Sequence, residues 1–339
     1  MNEFTKKKHF IGVDISKNHL DLAMVNESDL GVFKDKKIEN SMKGFGEIKL
    51  WLTKERLELS DCLFCMEHTG TFGLLLFTWL GHMGIDHCVE PALKIKRSLG
   101  LARGKNDKVD ARRIAEYALI NRAKLDRFLL PSKLLLRIKQ LLTYRDQQTK
   151  IKVSLKNSLK SHNQYQQVLG SNVISDDIKK QIDECMTRID NVDSQIKALI
   201  SSDDELKKNF ELVTSVKGVG LVITAFLLVT TNNFTSFENG RKYACYCGIA
   251  PFENSSGNYK GKTKVSHIAN KRVKVVLSSG ANSACRWDPE IKVYYERKIK
   301  EGKPHNLVIN SIRCKLVSRI FAVVNRQTPY VNIYKETFA

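Results

Sequence analysis

Phe10-Ile11-Gly12-Val13-Asp14-Ile15-Ser16-Lys17-Asn18-His19-Leu20-Asp21-Leu22-Ala23-Met24-Val25 is the stretch on which the reading of the fold turns. Phe10, Ile11 and Val13 open an apolar, β-branched strand. Lys17-Asn18 supplies a turn, and Leu20 to Val25 make a second strand, so the segment is a hairpin. Outward from it, Val32 to Ile38 fits a third strand. Ser41 to Arg56 has helical spacing through Phe45, Ile48, Trp51 and Leu52. Cys62 to Met66 is a short apolar strand ending at Glu67, Gly73 to Met83 a helix, and His87 to Glu90 a strand stopped by Pro91. Asp107 to Arg122 is a helix with Val109, Ile114, Ala118 and Leu119 on one side. Strands and helices in this order predict an α/β layer domain with a mixed sheet over residues 1–130.

Composition changes after Pro131. From Lys133 to about Ile200 Gly170 is the one glycine and proline is absent, which suits long helices. Leu135, Ile138, Leu142, Val153, Leu155 and Leu159 fit the first. Ile178, Ile182, Cys185, Ile189, Val192, Ile196 and Leu199 keep the 3–4 spacing of a coiled coil in the second. Gly170 to Asp176 is the expected tip, and 131–205 the helical region. Its first arm carries eight Lys/Arg against one acid, Asp146, between Lys133 and Lys160. Such an excess is either a solvated helix face or a nucleic-acid-facing arm. Residues 206–339 form a third, mainly α domain. In it Val216-Lys217-Gly218-Val219-Gly220 precedes an apolar helix, Leu221 to Val229. The turn is similar to that of a helix-hairpin-helix, whose glycines let backbone N–H groups approach a phosphate. It equally suits a tight turn before a core helix. Asn254 to Gly261 is rich in glycine and serine, and Lys260, Lys262, Lys264, Lys271, Arg272 and Lys274 follow.

The 339 residues hold 56 Lys+Arg against 36 Asp+Glu, a net charge of +20, and the partner this implies is a polyanion, nucleic acid first. No apolar run approaches the ~18 residues of a membrane span. The stretch before the hairpin is polar, with no signal-peptide core, so the expected location is the cytosol. There the eight cysteines are expected reduced. Cys62 and Cys65 form a C-x-x-C with no second pair at zinc-ribbon spacing, and Cys245 and Cys247 are C-x-C. Buried thiols are the expectation, not a zinc site.

Four acids stand out. Asp14 sits where an apolar strand runs out, and Glu67 ends another strand. Asp107 and Asp110 are three apart at a helix start and share a face. Singly, each has a plainer reading: a turn acid, a surface residue, helix-start acids favoured by the dipole. Jointly, carboxylates at one sheet edge bind Mg²⁺, and two such ions stabilise the entering and leaving oxygens of a phosphodiester reaction. Ser256, ahead of Gly257, is on local evidence a turn residue or a nucleophile awaiting activation.

Ile11-Gly12-Val13-Asp14-Ile15-Ser16-Lys17, Met66-Glu67-His68-Thr69-Gly70 and Lys105-Asn106-Asp107-Lys108-Val109-Asp110-Ala111 together resemble the acidic motifs of the DEDD insertion-sequence transposases, which include the Piv-type DNA invertases. Val219-Gly220, Phe237 to Cys247, Gly248-Ile249-Ala250-Pro251 and Ser256-Gly257 resemble the same family's C-terminal transposase domain. The resemblance implies a RuvC-like, ribonuclease-H-type N-terminal domain with Mg²⁺ (or Mn²⁺) on Asp14, Glu67, Asp107 and Asp110. It implies a coiled-coil linker used for assembly, hence a homo-oligomer, a dimer or a dimer of dimers. It makes Ser256, with Ser255 as the other register, the nucleophile of a covalent phosphoserine link. Donor and target DNA are the implied partners, with a structured bridge RNA choosing between sites in the bacterial nucleoid. Lys105 and Arg112, Lys217, Gly218 and Gly220, and Lys260, Lys262, Lys264, Lys271 and Arg272 become nucleic-acid-binding candidates. One departure touches that set: Ser266-His267-Ile268-Ala269-Asn270-Lys271-Arg272, then Val273-Lys274, stands where members carry Lys-x-Gly-Asn and a Leu-Arg pair. A junction nuclease using activated water, or a nucleic-acid-binding protein with structural acids, are the competing readings.

Overall fold

Strand β1 (His9–Ile15) pairs antiparallel with β2 (His19–Asn26), which puts Asp14 opposite Asp21. A computed structural model describes residues 3–98, 106–170 and 173–332, leaving aside the Gln166 and Leu169 side chains, and divides the chain after Leu130 into two units. In the first unit β3 (Asp29–Glu39) extends the sheet antiparallel to β2, with a register shift at Val25/Asn26. Helix α1 (Met42–Lys54) starts at Ser41, whose hydroxyl accepts from the Gly44 N–H. Strand β4 (Cys62–Glu67) then runs parallel to β1, followed by α2 (Leu74–His82) and by β5 (His87–Glu90), parallel to β4. Helices α3 (Ala92–Ser98) and α4 (Asp107–Asn121) complete the layer. The five strands lie in the order β3-β2-β1-β4-β5, the RuvC-like, ribonuclease-H-type arrangement that the resemblance implies.

Alternation divides the sheet into two faces. Ile11, Val13, Leu20, Leu22, Phe64 and Met66 pack with Phe45, Ile48 and Leu80 on the α1–α2 side. Phe10, Val25, Leu63, Cys65 and Cys88 pack with Ile114, Ala115, Tyr117 and Ala118 of α4 on the other. Helix α4 lies hard against β1. A Cβ on Gly12 would stand 2.1 Å from the Ala111 carbonyl oxygen and 2.3 Å from the Ala115 nitrogen. The buried side of α4 is therefore centred on Ala111, Ala115 and Ala118, with Ile114 and Tyr117 flanking. Val109, expected on that side, is instead 37% exposed, because it lies in the first turn beyond the sheet.

The second unit opens with a helical hairpin, α5 (Lys133–Leu169) and α6 (Val173–Ser201). Helix α6 buries Ile178, Ile182, Cys185, Ile189, Val192, Ile196 and Ile200, so the stripe ends on Ile200 where Leu199 was expected. The tip is shorter than expected, since Ser175 and Asp176 already belong to α6. Helices α7 (Asp204–Thr214) and α8 (Leu221–Thr230) follow. Leu135, Ile138, Leu142, Val192 and Ile196 share one core with Leu206, Ala225, Phe226 and Leu228. Residues 131–205 and 206–339 thus lie in a single compact unit. Beyond α9 (Gly240–Tyr246) come four two-residue strands, β6 (Pro251–Phe252), β7 (Ser255–Ser256), β8 (Tyr259–Lys260) and β9 (Lys264–Val265). Helices α10 (Lys271–Trp287), α11 (Pro289–Lys300) and α12 (His305–Arg326) follow. Among the described residues no helix is long and apolar enough to cross a membrane.

Gly12→Ala places a methyl group against backbone that no rotamer change can move. It should destabilise the first unit by roughly 2–3 kcal/mol, as overpacking does. Thermal unfolding of the full chain checks this: the transition of residues 1–130 should move and that of the helical unit should not. A variant that melts like the wild type contradicts the close approach.

Candidate active site

One row of side chains crosses the whole sheet at the end of β1, β4 and β5. Lys37 is registered on Asp21, Asp21 on Asp14, and Glu67 on Glu90; the β1–β4 ladder ends at Val13 on Met66, one step before Asp14 and Glu67. All five project on the α4 side, because they share the parity of Gly12, Cys65 and Cys88. The Gly12 contact sets the start of α4 beside this row, and Asp107 and Asp110 lie in its first turn. Asn106 caps the helix, its side chain accepting from the Lys108 N–H at 3.1 Å.

The electrostatics report the convergence. The Asp14 carboxyl is pushed up to about 6, first by burial and then by the charges of Asp107, Asp110, Glu67 and Asp21. Three of the four acids singled out in the sequence thus act on the fourth, Asp14, and Asp21 joins the cluster as its fifth member. Asp21 is steadied by Lys37 at 3.5 Å, and Asp110 by Arg113 at 3.2 Å. At the other end Glu90 is buried and held by Lys94 at 2.8 Å. The cluster is therefore negative in the middle and closed by a cation at each side. Carboxylate oxygens are the donors that a hard divalent cation takes, and such a cation would relieve the repulsion on Asp14. The donor set fits Mg²⁺ or Mn²⁺ in kind. The side chains meet as charges, and among the described residues no three of them close around a common ion position.

Several basic candidates are committed to the fold. Arg112 grips Asp35 of β3 through Nε at 2.8 Å and Nη2 at 2.5 Å and lies over the Phe33 ring, stapling α4 to the sheet edge. Lys108 adds a contact to Asp35 at 3.0 Å, and these bonds, Arg112's first, hold the Asp35 carboxyl below its usual range. Lys105 lies outside the described residues. Gly218, at φ +89, is pressed on α10: a Cβ there would meet the Gly280 oxygen at 2.7 Å and the Ala284 nitrogen at 2.8 Å. Its turn serves helix packing, while Lys217 and Gly220 stay exposed. Arg272 binds Asp146 at 3.1 Å and the Leu142 carbonyl at 3.1 Å, and covers Phe226, so it ties α10 to α5 and α8. Lys271 stays exposed.

Ser256 stands on a β ribbon. Pro251 and Phe252 pair with Val265 and Lys264 at its root, and Ser255 and Ser256 pair with Lys260 and Tyr259 near its tip. Gly257, at φ +55, makes the two-residue turn. Ser255, Ser256, Lys260, Lys262 and Lys264 are exposed, and among the described residues no side chain bonds the Ser256 hydroxyl.

Both halves of this arrangement match known families. Residues 11–164 match a DEDD model of IS110 type, described as a transposase, and residues 210–296 match the model of the transposase IS116/IS110/IS902 family. The chain belongs to the IS110 transposase family. The pilin gene-inverting protein of Moraxella bovis is 26% identical over 331 residues, 95% of this chain and 98% of that one. The IS110 43.6 kDa protein of Streptomyces coelicolor is 30% identical over 139 residues, 41% of this chain and 33% of its own. The T. thermophilus RuvC structure in complex with a Holliday junction substrate aligns at TM-score 0.27 and 14% identity, covering 36% of this chain and 99% of that one. As an IS110-family transposase the protein is an enzyme that cleaves and rejoins DNA.

In this transposase the raised Asp14 carboxyl weakens the fold once it ionises. Its folded pKa, about 6, lies above its unfolded value near 3.8, so stability falls as pH rises through that window and stays lower above it. In metal-free buffer Asp14→Asn should therefore raise the stability of the first unit at pH 7.5. The gain should be of order 1 kcal/mol after solvent screening, and it should vanish below pH 4. Melting curves at both pH values decide it; a lower melting temperature for the variant at pH 7.5 would contradict the crowding.

Proposed function

We propose that this transposase moves its own insertion sequence by a covalent route, with Ser256 as nucleophile and Asp14, Glu67, Asp107 and Asp110 as ligands of Mg²⁺ or Mn²⁺. The observation that carries the reading is the crowding on Asp14: the acids of the two other motifs bear on its carboxyl. The relative that inverts a pilin gene supports strand exchange over simple nicking. A divalent cation, when bound, neutralises phosphate charge and lowers the pKa of a nearby hydroxyl.

The chain's own groups do the rest. The Ser256 oxygen bonds to phosphorus as the bond from phosphorus to the deoxyribose oxygen breaks, and that leaving oxygen takes up a proton. The phosphodiester energy stays in the phosphoserine ester, and attack by a second strand's hydroxyl reverses the step without ATP. Residues 1–130 are the acid-bearing catalytic domain in this reading. Residues 131–205 serve assembly into a dimer or a dimer of dimers, and residues 206–339 carry the serine and contact DNA. A structured RNA encoded by the element selects donor and target DNA. The net charge of +20 suits two polyanions, and the work is done at the nucleoid.

The test is trapping on labelled DNA carrying the element's ends, with the flanking noncoding RNA supplied. Wild type should give an adduct that survives denaturation, and Ser256→Ala should give none while binding DNA normally. Asp14→Ala and Asp110→Ala should each lower strand cleavage by 10²-fold or more, as loss of a group acting in the transition state does. An adduct persisting in Ser256→Ala removes Ser256 as nucleophile. Cleavage with no adduct, indifferent to Ser256, would establish the activated-water route.

A further inference from the structure

The root of the serine ribbon is fixed by α12 and α10. Asn310 Nδ2 donates to the Ile249 carbonyl at 2.8 Å, and Cys314 Sγ donates to the same oxygen at 3.3 Å. Lys274 Nζ donates to the Gly248 carbonyl at 3.0 Å. Gly248 itself, at φ +64, is packed so closely on Ala269 that a Cβ would stand 2.3 Å from that residue's methyl. Residues 248–251 are thus a firm platform, and β6 starts from it.

Arg313 stands beside this platform in an unusual state. Its Nη1 donates to Asn310 Oδ1 at 3.1 Å, and its Nε is buried without an acceptor, as is that of Arg272. The other half-buried arginines of this unit each have a carboxylate: Arg145 on Asp193 at 2.6 Å, Arg272 on Asp146 at 3.1 Å, Arg319 on Asp288 at 2.7 Å. Arg313 has none among the described residues, and neither has Lys274. Burial works against the Arg313 charge and lowers its pKa, which the neighbouring Cys314 offsets only in part. A buried N–H without a partner is costly, and more so on a charged group. An apolar side chain would serve the packing of α12 better, so the guanidinium calls for an anion from outside the chain.

We propose that Arg313, with Lys274, forms a phosphate-binding subsite for the DNA backbone at the root of the ribbon that carries Ser256. The guanidinium suits a phosphate, and Nη2, which is not buried and bonds nothing among the described residues, is the donor open to one. Ser256 is five positions along the chain from Pro251, about 16 Å if extended. At 3.4 Å of axis per nucleotide the subsite takes a phosphate roughly five nucleotides from the one that Ser256 attacks. It sets the register of the strand along the ribbon. The inference rests on the reading of Ser256 as nucleophile.

The test measures binding of the full chain to a fluorescein-labelled duplex of 30 base pairs, by anisotropy between 50 and 250 mM NaCl, well below the melting temperature. Arg313→Met should reduce the slope of log affinity against log salt by about 0.9, the value of one phosphate contact. Affinity at 100 mM should fall roughly tenfold, as loss of a charged hydrogen bond does, while the melting temperature holds or rises. Arg313→Lys should restore part of the slope, and Lys274→Gln should lower it independently. An unchanged slope in Arg313→Met overturns the subsite, whatever the melting temperature does. Ser256→Ala should keep the wild-type slope and separates the two claims. Loss of its adduct with a flat Arg313→Met response refutes the subsite alone. A persistent adduct with a reduced slope refutes the nucleophile and leaves Arg313 as a DNA contact.

Discussion

Contact between the backbones of β1 and α4 at Gly12 decides where the chemistry of the first unit is placed. No side chain separates the two elements there, and the small faces of Ala111 and Ala115 complete the fit. A helix held that closely has its axis and rotation set by the strand. Its first turn, with Asp107 and Asp110, therefore stands beside the strand end that carries Asp14 two residues beyond the glycine. Asn106 and the helix dipole favour acids in that turn, so local helix physics and the needs of the site agree.

The sheet register supplies the other half. A side-chain period of two and a parallel β1–β4 pair set Asp14 and Glu67 on one face, one step beyond the last ladder pair, and extend the row to Asp21 and Glu90. Like charges side by side on neighbouring strands are unfavourable. The sheet limits that cost by ending the row in Lys37 on one side and by seating Lys94 on Glu90 at the other. What is left uncompensated is the centre, where Asp14 is kept from ionising at its usual pH. Local frustration of this kind, inside an otherwise consistent domain, is what a functional site looks like energetically.

Much of this was legible in the residues. The β1–β2 hairpin, the strand ending at Glu67 and the helix starting at Asp107 follow from β-branched runs, turn residues and helical spacing, and they bring the four acids forward as candidates. Asp21 carries no mark of its own within the hairpin, because its membership depends on register, which alternation alone does not fix. Charge was the poorer guide. Arg112, Arg272 and Gly218 have the composition of a nucleic-acid surface, yet the fold uses each internally, on Asp35, on Asp146 and on α10. A sequence displays a cation but not the carboxylate that folding brings to it. Arg313 shows the converse: nothing in Ser311-Ile312-Arg313-Cys314 marks it, and its interest comes from the acid that is missing.

The two units treat their reactive groups in opposite ways. Asp14, Glu67 and Asp110 are half-buried and Asp107 is exposed, all on strands and a helix whose positions are set by backbone contact, so the fold fixes their neighbourhood. Ser256 lies on a two-residue strand beside a glycine turn, exposed, with no side chain on its hydroxyl. A serine in that state is a weak nucleophile, since neither base nor donor activates it. In the proposed reading the fold supplies position through the root at Gly248 to Pro251, and activation of the hydroxyl is left to the divalent cation. In that same reading the division separates two demands: affinity resides in many cations, whereas reaction needs one phosphate held in register with one hydroxyl.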